Sequence, residues 1–447
     1  MIRGLVDFIR LSRHRNAWSN ARIDRYKLKA LKRIVRIAKA KSPYYKRTLA
    51  GFDFDSLESF SKLPKTDKTI LMDNFEAINT VGLDKASCEA DALRREREKD
   101  YAGYFKGKYV LGLSSGTSGN RGIFITPKSL TKRLPAVFLA RGGVSLSDLP
   151  LRITFMLRVF SQGFEDINAP FVKLRYLSTM TPPEDIVRHL NENSTNVLMA
   201  PPSLLRFLAP LADRIDNPLK RIITYAEVLT KEDKEHFKTV FKTEVVEIYQ
   251  ASEGQIASPC KEGHLHINED LVHVEIEDEN GNPVTTPHKT GHRMVVTNLV
   301  NTAQPLIRYV MNDMVVLDDP CPCGSSFRRI GSVLGRQDDV LYVLRNTTGT
   351  LPVFPDLFAR WIITESEDIR EFQVVQKTIG DITVTIDVPP SFDPDTLKKR
   401  ILRELSAFDA HAMITIDVAP LSLPKDRNKF KRFICTIPSD KTTSGPS

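Results

Sequence analysis

The apolar positions of residues 20–48 recur every three or four residues, which is the period of an α-helix packed on one side. The residues of this apolar stripe are Tyr26, Leu28, Leu31, Ile34, Val35 and Ile37. Lysine and arginine fill the positions between them, and Ser42-Pro43 ends the pattern. A second charged helix is predicted over residues 84–99. The mixed apolar and basic residues 1–15 indicate a helix that lies on a surface.

From residue 108 the pattern changes to short apolar runs that alternate with helical stretches. Strands are predicted at 108–113, 122–126, 152–157, 196–199, 220–224 and 244–248. Helices are predicted near 128–141, 183–193 and 202–215. This alternation predicts a large, layered α/β domain.

The remainder of the chain indicates two smaller units. A small β-rich section has predicted strands at 271–277, 293–298 and 314–317. A compact α+β unit follows, with strands at 372–378, 381–387 and 413–418 and a helix at 395–407. The predicted organisation is a basic helical arm (1–50), a large domain (51–337), a small C-terminal domain (338–437) and a disordered tail (438–447).

Composition limits the class of protein. A length of 447 residues exceeds one ordinary domain, and 41% apolar residues suffice for large cores. The sequence contains no run of about 20 apolar residues and no secretory leader near Met1, so a cytoplasmic enzyme is expected.

Charge is concentrated at the N-terminus. Residues 1–50 contain 15 Lys/Arg and two acids, a net of +13, and because the whole chain carries +9, residues 51–447 carry −4. Two interpretations stay open: solvated helix faces, or a basic surface that makes a peripheral contact with anionic lipid or another acidic partner. Nucleic acid is not expected, since no recognition motif accompanies the charge. The oligomeric state is left open.

The stretch KYVLGLSSGTSGNRGIFITP (108–127) places a loop rich in glycine and hydroxyl residues between two strands. It is either a flexible hairpin loop or a nest of backbone N–H groups for an anion. It lacks the lysine of a Walker loop, and no helix follows it directly. The candidate phosphate contacts are Ser114, Ser115, Gly116, Thr117, Ser118, Gly119 and Arg121.

Five further segments accompany this loop in a fixed order. They are Thr-Tyr-Ala-Glu at 224–227, Ile-Tyr-Gln-Ala-Ser-Glu-Gly at 248–254, Ile-Arg-Tyr-Val-Met-Asn-Asp at 307–313, Gly-Arg-Gln-Asp-Asp at 335–339 and Leu-Pro-Lys-Asp-Arg-Asn-Lys-Phe-Lys-Arg at 423–432. As a set they resemble the motifs of the adenylate-forming superfamily, in particular its phenylacetate–CoA ligase and coenzyme F synthetase-like branches.

The resemblance implies a role for each motif residue. The loop would hold the β- and γ-phosphates of ATP, while Ala226, Glu227, Tyr249 and Ser252 would lie at the nucleotide. Glu253 would bind Mg²⁺, a cation that prefers oxygen ligands. Asp313 would accept both ribose hydroxyls, and Arg336 would contact ribose or phosphate. Lys429 would place a positive charge near the α-phosphate, and Asp338 would be the hinge of a mobile C-terminal domain.

Two short clusters, Cys260-x5-His266 and Cys321-x-Cys323, provide soft ligands that suit a structural Zn²⁺ within residues 258–334. Three buried free cysteines are the alternative. His264 competes with His266 for the site, and the resemblance favours His266.

The implied function is an ATP-dependent, AMP-forming ligase that activates a carboxylate and then passes the acyl group to CoA or another acceptor. Departures from the usual motifs, at Asn120-Arg121, Gln250 and Asn428, leave the substrate open. One alternative is an adenylyltransferase that places AMP on a hydroxyl acceptor. Another is a degenerate nucleotide-binding scaffold.

Overall fold

A computed structural model describes most of the chain. The described residues are 2–98, 103–113, 122–143, 148–157, 168, 171–179, 181–366, 368–421 and 430–437. The glycine-rich loop 114–121 and the segment 422–429, which includes Lys429, therefore lie outside the described residues. So does the tail 438–447.

Seven helices lie within the described residues 2–98. They are α1 (Ile2–Ala17), α2 (Asn20–Lys41), α3 (Pro43–Thr48), α4 (Leu57–Phe60), α5 (Lys68–Asp73), α6 (Phe75–Ile78) and α7 (Lys85–Glu98). Helix α2 confirms the predicted stripe, since Leu31, Ile34 and Val35 are buried against the body of the protein. The basic helices are therefore packed on the rest of the chain through their apolar sides.

A hairpin and two helices follow. Strands β1 (Tyr109–Leu113) and β2 (Ile123–Pro127) pair antiparallel, and helices α8 (Lys128–Thr131) and α9 (Leu134–Arg141) come next. Polar side chains from a distant segment hold β2 in place. The Gln304 side chain exchanges hydrogen bonds with the backbone of Ile125 (2.9 Å) and Ile123 (3.0 Å), and Asn301 Nδ2 donates to Ile125 O at 2.8 Å.

The layered α/β part contains a parallel five-stranded sheet. Its elements are β3 (Leu151–Leu157), β4 (Val172–Ser178), α10 (Pro183–Glu192), β5 (Val197–Met199), α11 (Pro202–Leu208), β6 (Arg221–Thr224), α12 (Lys231–Phe241) and β7 (Glu244–Glu247). The strand order is β4-β3-β5-β6-β7. The sheet confirms the predicted fold class, and β4 adds a strand that was not predicted.

The β-rich section comprises nine strands in two sheets. They are β8 (Tyr249–Ala251), β9 (Gly254–Pro259), β10 (Leu265–Ile267), β11 (Val272–Glu277), β12 (Thr290–Gly291), β13 (Arg293–Asn298), β14 (Tyr309–Met311), β15 (Asp313–Leu317) and β16 (Arg329–Arg336). One sheet has the order β12-β15-β16-β10-β9-β8, and the other has the order β11-β13-β14. Helix α2 packs on the core that these sheets share.

The C-terminal elements form a separate hydrophobic core. They are β17 (Leu341–Arg345), β18 (Thr350–Val353), α13 (Pro355–Ile363), β19 (Glu371–Thr378), β20 (Asp381–Asp387), α14 (Pro394–Ala407), β21 (Ala410–His411), β22 (Met413–Val418) and β23 (Phe433–Cys435). Their mixture of helices and sheets confirms the α+β prediction, although α13 was not predicted. Within the described part of the chain, no helix combines the length and the apolar content needed to cross a membrane.

Candidate active site

Three predicted motifs meet at one region of the six-stranded sheet. Tyr249 is the first residue of β8, and Glu253 lies in the turn between β8 and β9. Asp313 begins β15 and stands directly opposite Arg336, the last residue of β16. Antiparallel pairing therefore brings an acid and a base from motifs more than twenty residues apart into register.

Glu253 has an unusual charge environment. Burial, followed by the repulsion of Asp313, raises the pKa of the Glu253 carboxyl to about 7, while Arg336 and Lys68 act in the opposite direction. Burial and the same Asp313 carboxylate also raise the pKa of Tyr249. Tyr249, Glu253, Asp313, Arg336 and Lys68 are therefore close enough for their charges to affect one another, and an added cation would stabilise the ionised form of Glu253.

The backbone that carries Glu253 is held by a side chain. Asn298 Nδ2 donates to Glu253 O at 2.8 Å, while Asn298 Oδ1 accepts from the backbone N–H groups of Val300 (3.0 Å) and Asn301 (2.8 Å). The neighbouring Asn301 is the residue that bonds to β2, which follows the glycine-rich loop. The segment 298–304 thus joins the position of Glu253 to the strand that bears the candidate phosphate loop.

Lys68 was not predicted as a site residue. It enters the site because Thr66 pairs with the segment 308–310: Thr66 N donates to Arg308 O at 3.0 Å, and Val310 N donates to Thr66 O at 2.7 Å. Partial burial, followed by the repulsion of Arg336, lowers the pKa of Lys68. The local sequence gave only the signal of a helix start, since Asp67 caps α5.

The 224–227 segment has a different set of contacts. The Glu227 carboxylate accepts hydrogen bonds from Ser203 N (2.9 Å) and Ser203 Oγ (2.8 Å) at the start of α11. Ala226 has a φ of 67°, a left-handed conformation that a residue with a Cβ seldom adopts. Ser252 is exposed beside Glu253. Nucleotide binding by these three residues stays a prediction.

The predicted hinge is exposed and polar. Asp338 lies in a short 3₁₀ turn, Gln337–Asp339, and its carboxylate accepts from Asn312 Nδ2 at 3.2 Å. The preceding Gly335 has a φ of 109°, and a Cβ there would come within 3.2 Å of Pro355 Cγ. Only glycine fits this position without strain. The hinge role of Asp338 also stays a prediction.

The residues just beyond Lys429 contact both parts of the molecule. Arg432 donates to Glu371 Oε1 at 2.7 Å within the C-terminal unit, and its Nη1 lies 3.5 Å from Asp233 Oδ2 on α12. Lys431 Nζ lies 3.7 Å from Asp339. These ion pairs hold residues 431–432 against both the C-terminal unit and α12.

The four predicted metal ligands meet in space. One ligand atom from each of Cys260, His266, Cys321 and Cys323 lies within 4.8 Å of all the others. The Cys260 and Cys321 sulfurs are 3.8 Å apart, and His266 Nε2 is 3.6 Å from the Cys323 sulfur. The other ring nitrogen of His266 is 2.8 Å from Phe327 O, which orients the imidazole. His264 Nδ1 lies 3.1 Å from the Cys321 sulfur, outside the four-residue group.

Comparison with known proteins finds two that are similar to this chain in sequence. No family model matches the chain. It is 26% identical over 401 residues to the phenylacetate–coenzyme A ligase of Thermus thermophilus, an alignment that covers 83% of each chain. It is also 27% identical over 187 residues to Protein CapK of Staphylococcus aureus, covering 41% of this chain and 39% of that protein.

Solved structures share the fold. A 2-hydroxyisobutyryl-CoA ligase in its postadenylation state superposes with a TM-score of 0.73 at 16% identity, over 96% of this chain and 92% of that one. An anthranilate CoA ligase superposes with a TM-score of 0.52 at 15% identity, over 72% of this chain and 65% of that one. The predicted resemblance to phenylacetate–CoA ligases is confirmed by the first relative, and the solved structures show that the chain has the fold of CoA ligases.

Proposed function

We propose that this protein is an ATP-dependent, AMP-forming ligase that activates a carboxylic acid as an acyl-adenylate and transfers the acyl group to the thiol of CoA. The observation that carries the proposal is the convergence of Tyr249, Glu253, Asp313 and Arg336 on one region, in a fold shared with acyl-CoA ligases. The chain-long similarity to a phenylacetate–CoA ligase supports the same chemistry.

The first half-reaction joins the acid to AMP. A carboxylate oxygen of the substrate attacks the α-phosphorus of ATP, and the bond between the α-phosphorus and the bridging oxygen breaks as pyrophosphate leaves. Charge accumulates on phosphate oxygens, so cations and N–H donors must be directed there. In the proposed arrangement the loop 114–121 binds the β- and γ-phosphates, and Lys429 neutralises charge near the α-phosphate.

The described residues bind and orient the nucleotide. Tyr249 packs against the adenine, Asp313 accepts hydrogen bonds from the ribose hydroxyls, and Arg336 contacts the ribose or a phosphate. Glu253 suits an Mg²⁺ ligand because its carboxyl is buried beside Asp313 and is therefore stabilised by an added cation. When bound, Mg²⁺ supplies positive charge at the phosphate oxygens.

The second half-reaction releases AMP. The CoA thiol gives up a proton and its sulfur attacks the acyl carbon, so a thioester bond forms while the bond from that carbon to the AMP oxygen breaks. A mobile C-terminal unit hinged at Asp338 would exchange the Lys429 face for another face between the two steps.

The test is ATP–pyrophosphate exchange by the full chain with aromatic, fatty and amino acids, followed by product analysis with CoA. Acid-dependent exchange together with free AMP and a thioester is the expected result. AMP retained as a stable ester on a hydroxyl compound would instead assign the protein to adenylyl transfer. No exchange with any acid would contradict the ligase proposal and favour a nucleotide-binding scaffold.

We also propose a structural Zn²⁺ at Cys260, His266, Cys321 and Cys323. Ligands at the vertices of a tetrahedron, with Zn–S about 2.3 Å and Zn–N about 2.0 Å, are separated by roughly 3.5 to 3.8 Å. The observed 3.8 Å and 3.6 Å separations fit that geometry, and they are far longer than a disulfide bond. Because three thiols must stay reduced, the protein suits a cytoplasmic location.

Loss of one thiol tests the metal site. Metal analysis should find about one zinc per chain in the wild type, and Cys323→Ser should lose the metal and melt at a lower temperature. Cys435→Ser is the matched control, because Cys435 lies on β23 of the C-terminal unit. This substitution should leave the metal content unchanged. A wild-type protein without zinc would contradict the assignment.

A further inference from the structure

The outward side of α2 carries an uninterrupted row of cations. Arg25, Lys29, Lys32, Arg33 and Arg36 recur at helical spacing, and all five are exposed. The opposite side of α2, with Leu31 and Ile34, is buried in the core. The row is therefore presented to solvent by a helix that the body of the protein holds rigidly.

Among the described residues, none of these five side chains forms an ion pair with an acid. Arg33 is held instead by a backbone carbonyl, since its Nη2 donates to Leu299 O at 2.6 Å. The acids nearby are already engaged. Asp7 pairs with Arg10 at 2.8 Å and Arg133 at 3.1 Å, and Asp270 pairs with Arg141 at 2.9 Å and His14 at 2.8 Å. Asp24 is the remaining acid of α1 and α2.

A cleft of about 720 Å³ separates the row from α1. Seven lysines and arginines line it against a single carboxylate, Asp270, together with apolar side chains such as Leu11 and Leu28. Beside the cleft, α1 exposes two aliphatic side chains, Val6 (57% exposed) and Ile9 (44% exposed). Val6 lies one helical turn before Arg10, which lines the cleft, so the aliphatic and cationic groups share one face.

We propose that the face formed by α1 and α2 docks on an anionic membrane surface. The row from Arg25 to Arg36 spans roughly 16 Å at 1.5 Å per residue, which exceeds the reach of one small anion and matches a continuous layer of lipid phosphates. Val6 and Ile9 enter the boundary between head groups and acyl chains. The net charge of −4 on residues 51–447 turns the rest of the molecule away from the bilayer.

This proposal is independent of the ligase proposal, because none of these side chains belongs to the candidate active site. The experiment is co-sedimentation of the full chain with two kinds of vesicle, phosphatidylcholine alone and an equimolar mixture of phosphatidylcholine with phosphatidylglycerol. The expected result is binding to the mixed vesicles only, with a bound fraction that falls as salt is added.

Charge-reversal variants distinguish the effect of the α2 cations on vesicle binding from the effect of the net charge of the protein. The triple variant Lys29→Glu, Lys32→Glu and Arg36→Glu should bind mixed vesicles about a hundredfold more weakly. The matched control Lys377→Glu, Lys399→Glu and Arg403→Glu changes the net charge equally at exposed sites of the C-terminal unit and should bind as the wild type does. Unchanged melting temperatures in both variants show that folding is intact.

Several outcomes would overturn the proposal. One is that the wild type does not bind mixed vesicles. Another is that the control variant loses as much binding as the α2 variant does. Retention on an immobilised soluble polyanion without vesicle binding would assign the row to a soluble partner instead. Val6→Gln with Ile9→Gln should weaken vesicle binding about tenfold, and unchanged binding would refute the insertion of α1.

Discussion

Two glutamates of the β-rich section, sixteen positions apart, have opposite electrostatic properties. Glu269 is buried against two cations: Lys27 Nζ lies beside it, and Arg328 Nε donates to it at 2.6 Å. Although burial opposes ionisation, Arg328 and Lys27 lower the pKa of Glu269 to about 2. Glu253 makes no such ion pair among the described residues, and its pKa is raised to about 7.

The difference lies in the position of the cations, since both groups are removed from water. The charge of a carboxylate that is hydrogen-bonded to two cations is already neutralised, so such a group has a structural role. Glu253 instead lies near another acid, and the two nearest cations are beyond ion-pair distance. A bound cation would neutralise the charge of such a carboxylate. We therefore interpret Glu269 as structural and Glu253 as a ligand-binding group.

The largest expected effect is a loss of activity on substitution of Glu253. Glu253→Gln should reduce ATP–pyrophosphate exchange by about a hundredfold to a thousandfold, because the charge that binds Mg²⁺ is lost. Above pH 7 the variant should melt at the same temperature as the wild type or a higher one, since its folded state no longer holds a destabilised carboxylate. Normal exchange in this variant would remove Glu253 from the mechanism.

The next effect concerns stability. Glu269→Gln should lower the free energy of unfolding by about 3 kcal/mol, because the buried Lys27 and the half-buried Arg328 lose their counter-charge. Denaturant unfolding measures this value, and exchange activity per folded molecule should be retained below the transition. A loss of exchange in the fully folded variant would contradict a purely structural role.

The pH dependence of the wild type provides a check on Glu269. A carboxyl whose pKa is lowered in the folded state contributes stability above its unfolded pKa of about 4.5, and this contribution is lost as the pH falls toward 2. Glu269→Gln should lack that component, so the stability difference between the two proteins should narrow as the pH falls below about 4.5.

A smaller effect is expected from the acid that raises the pKa of Glu253. Asp313→Asn should raise the KM for ATP about tenfold, because the ribose loses an ionised acceptor. It should also lower the pKa of Glu253, which would appear as a shift of the pH–rate profile to lower pH. An unchanged KM would refute ribose binding by Asp313.

The smallest effect is expected at Lys68. Lys68→Met should lower exchange about threefold, since a cation that acts at a distance on Glu253 and the phosphates is lost. Lys62→Met is the matched control on the same segment, because Lys62 is exposed and makes only a 3.9 Å pair with Glu58. Equal activities of the two variants would exclude Lys68 from the site.

The sequence predicted those elements whose signal is local. The α2 stripe and the apolar runs of the parallel sheet follow from residue spacing, and the motifs identified Tyr249, Glu253, Asp313 and Arg336 before their pairing was known. Strand β4 also has a local signal, the alternation of Val172, Leu174 and Tyr176.

What could not be predicted depends on contacts between distant segments. Lys68 enters the site through the pairing of Thr66 with residues 308–310, some 240 positions away. Asn298 reads as an ordinary polar residue at the end of β13, and only the fold places its amide on the Glu253 carbonyl. The pKa of about 7 at Glu253 likewise results from burial, which periodicity alone does not give for a residue in a turn.

The two bonds made by residues 298 and 299 have a further consequence. Arg33 of the basic row donates to Leu299 O, and Asn298 donates to Glu253 O, so one short segment touches both the proposed membrane face and the candidate Mg²⁺ ligand. If occupation of one face alters the other, thermodynamic reciprocity fixes the size of the effect. The factor by which vesicles change the affinity for MgATP must equal the factor by which MgATP changes the partitioning of the protein onto vesicles.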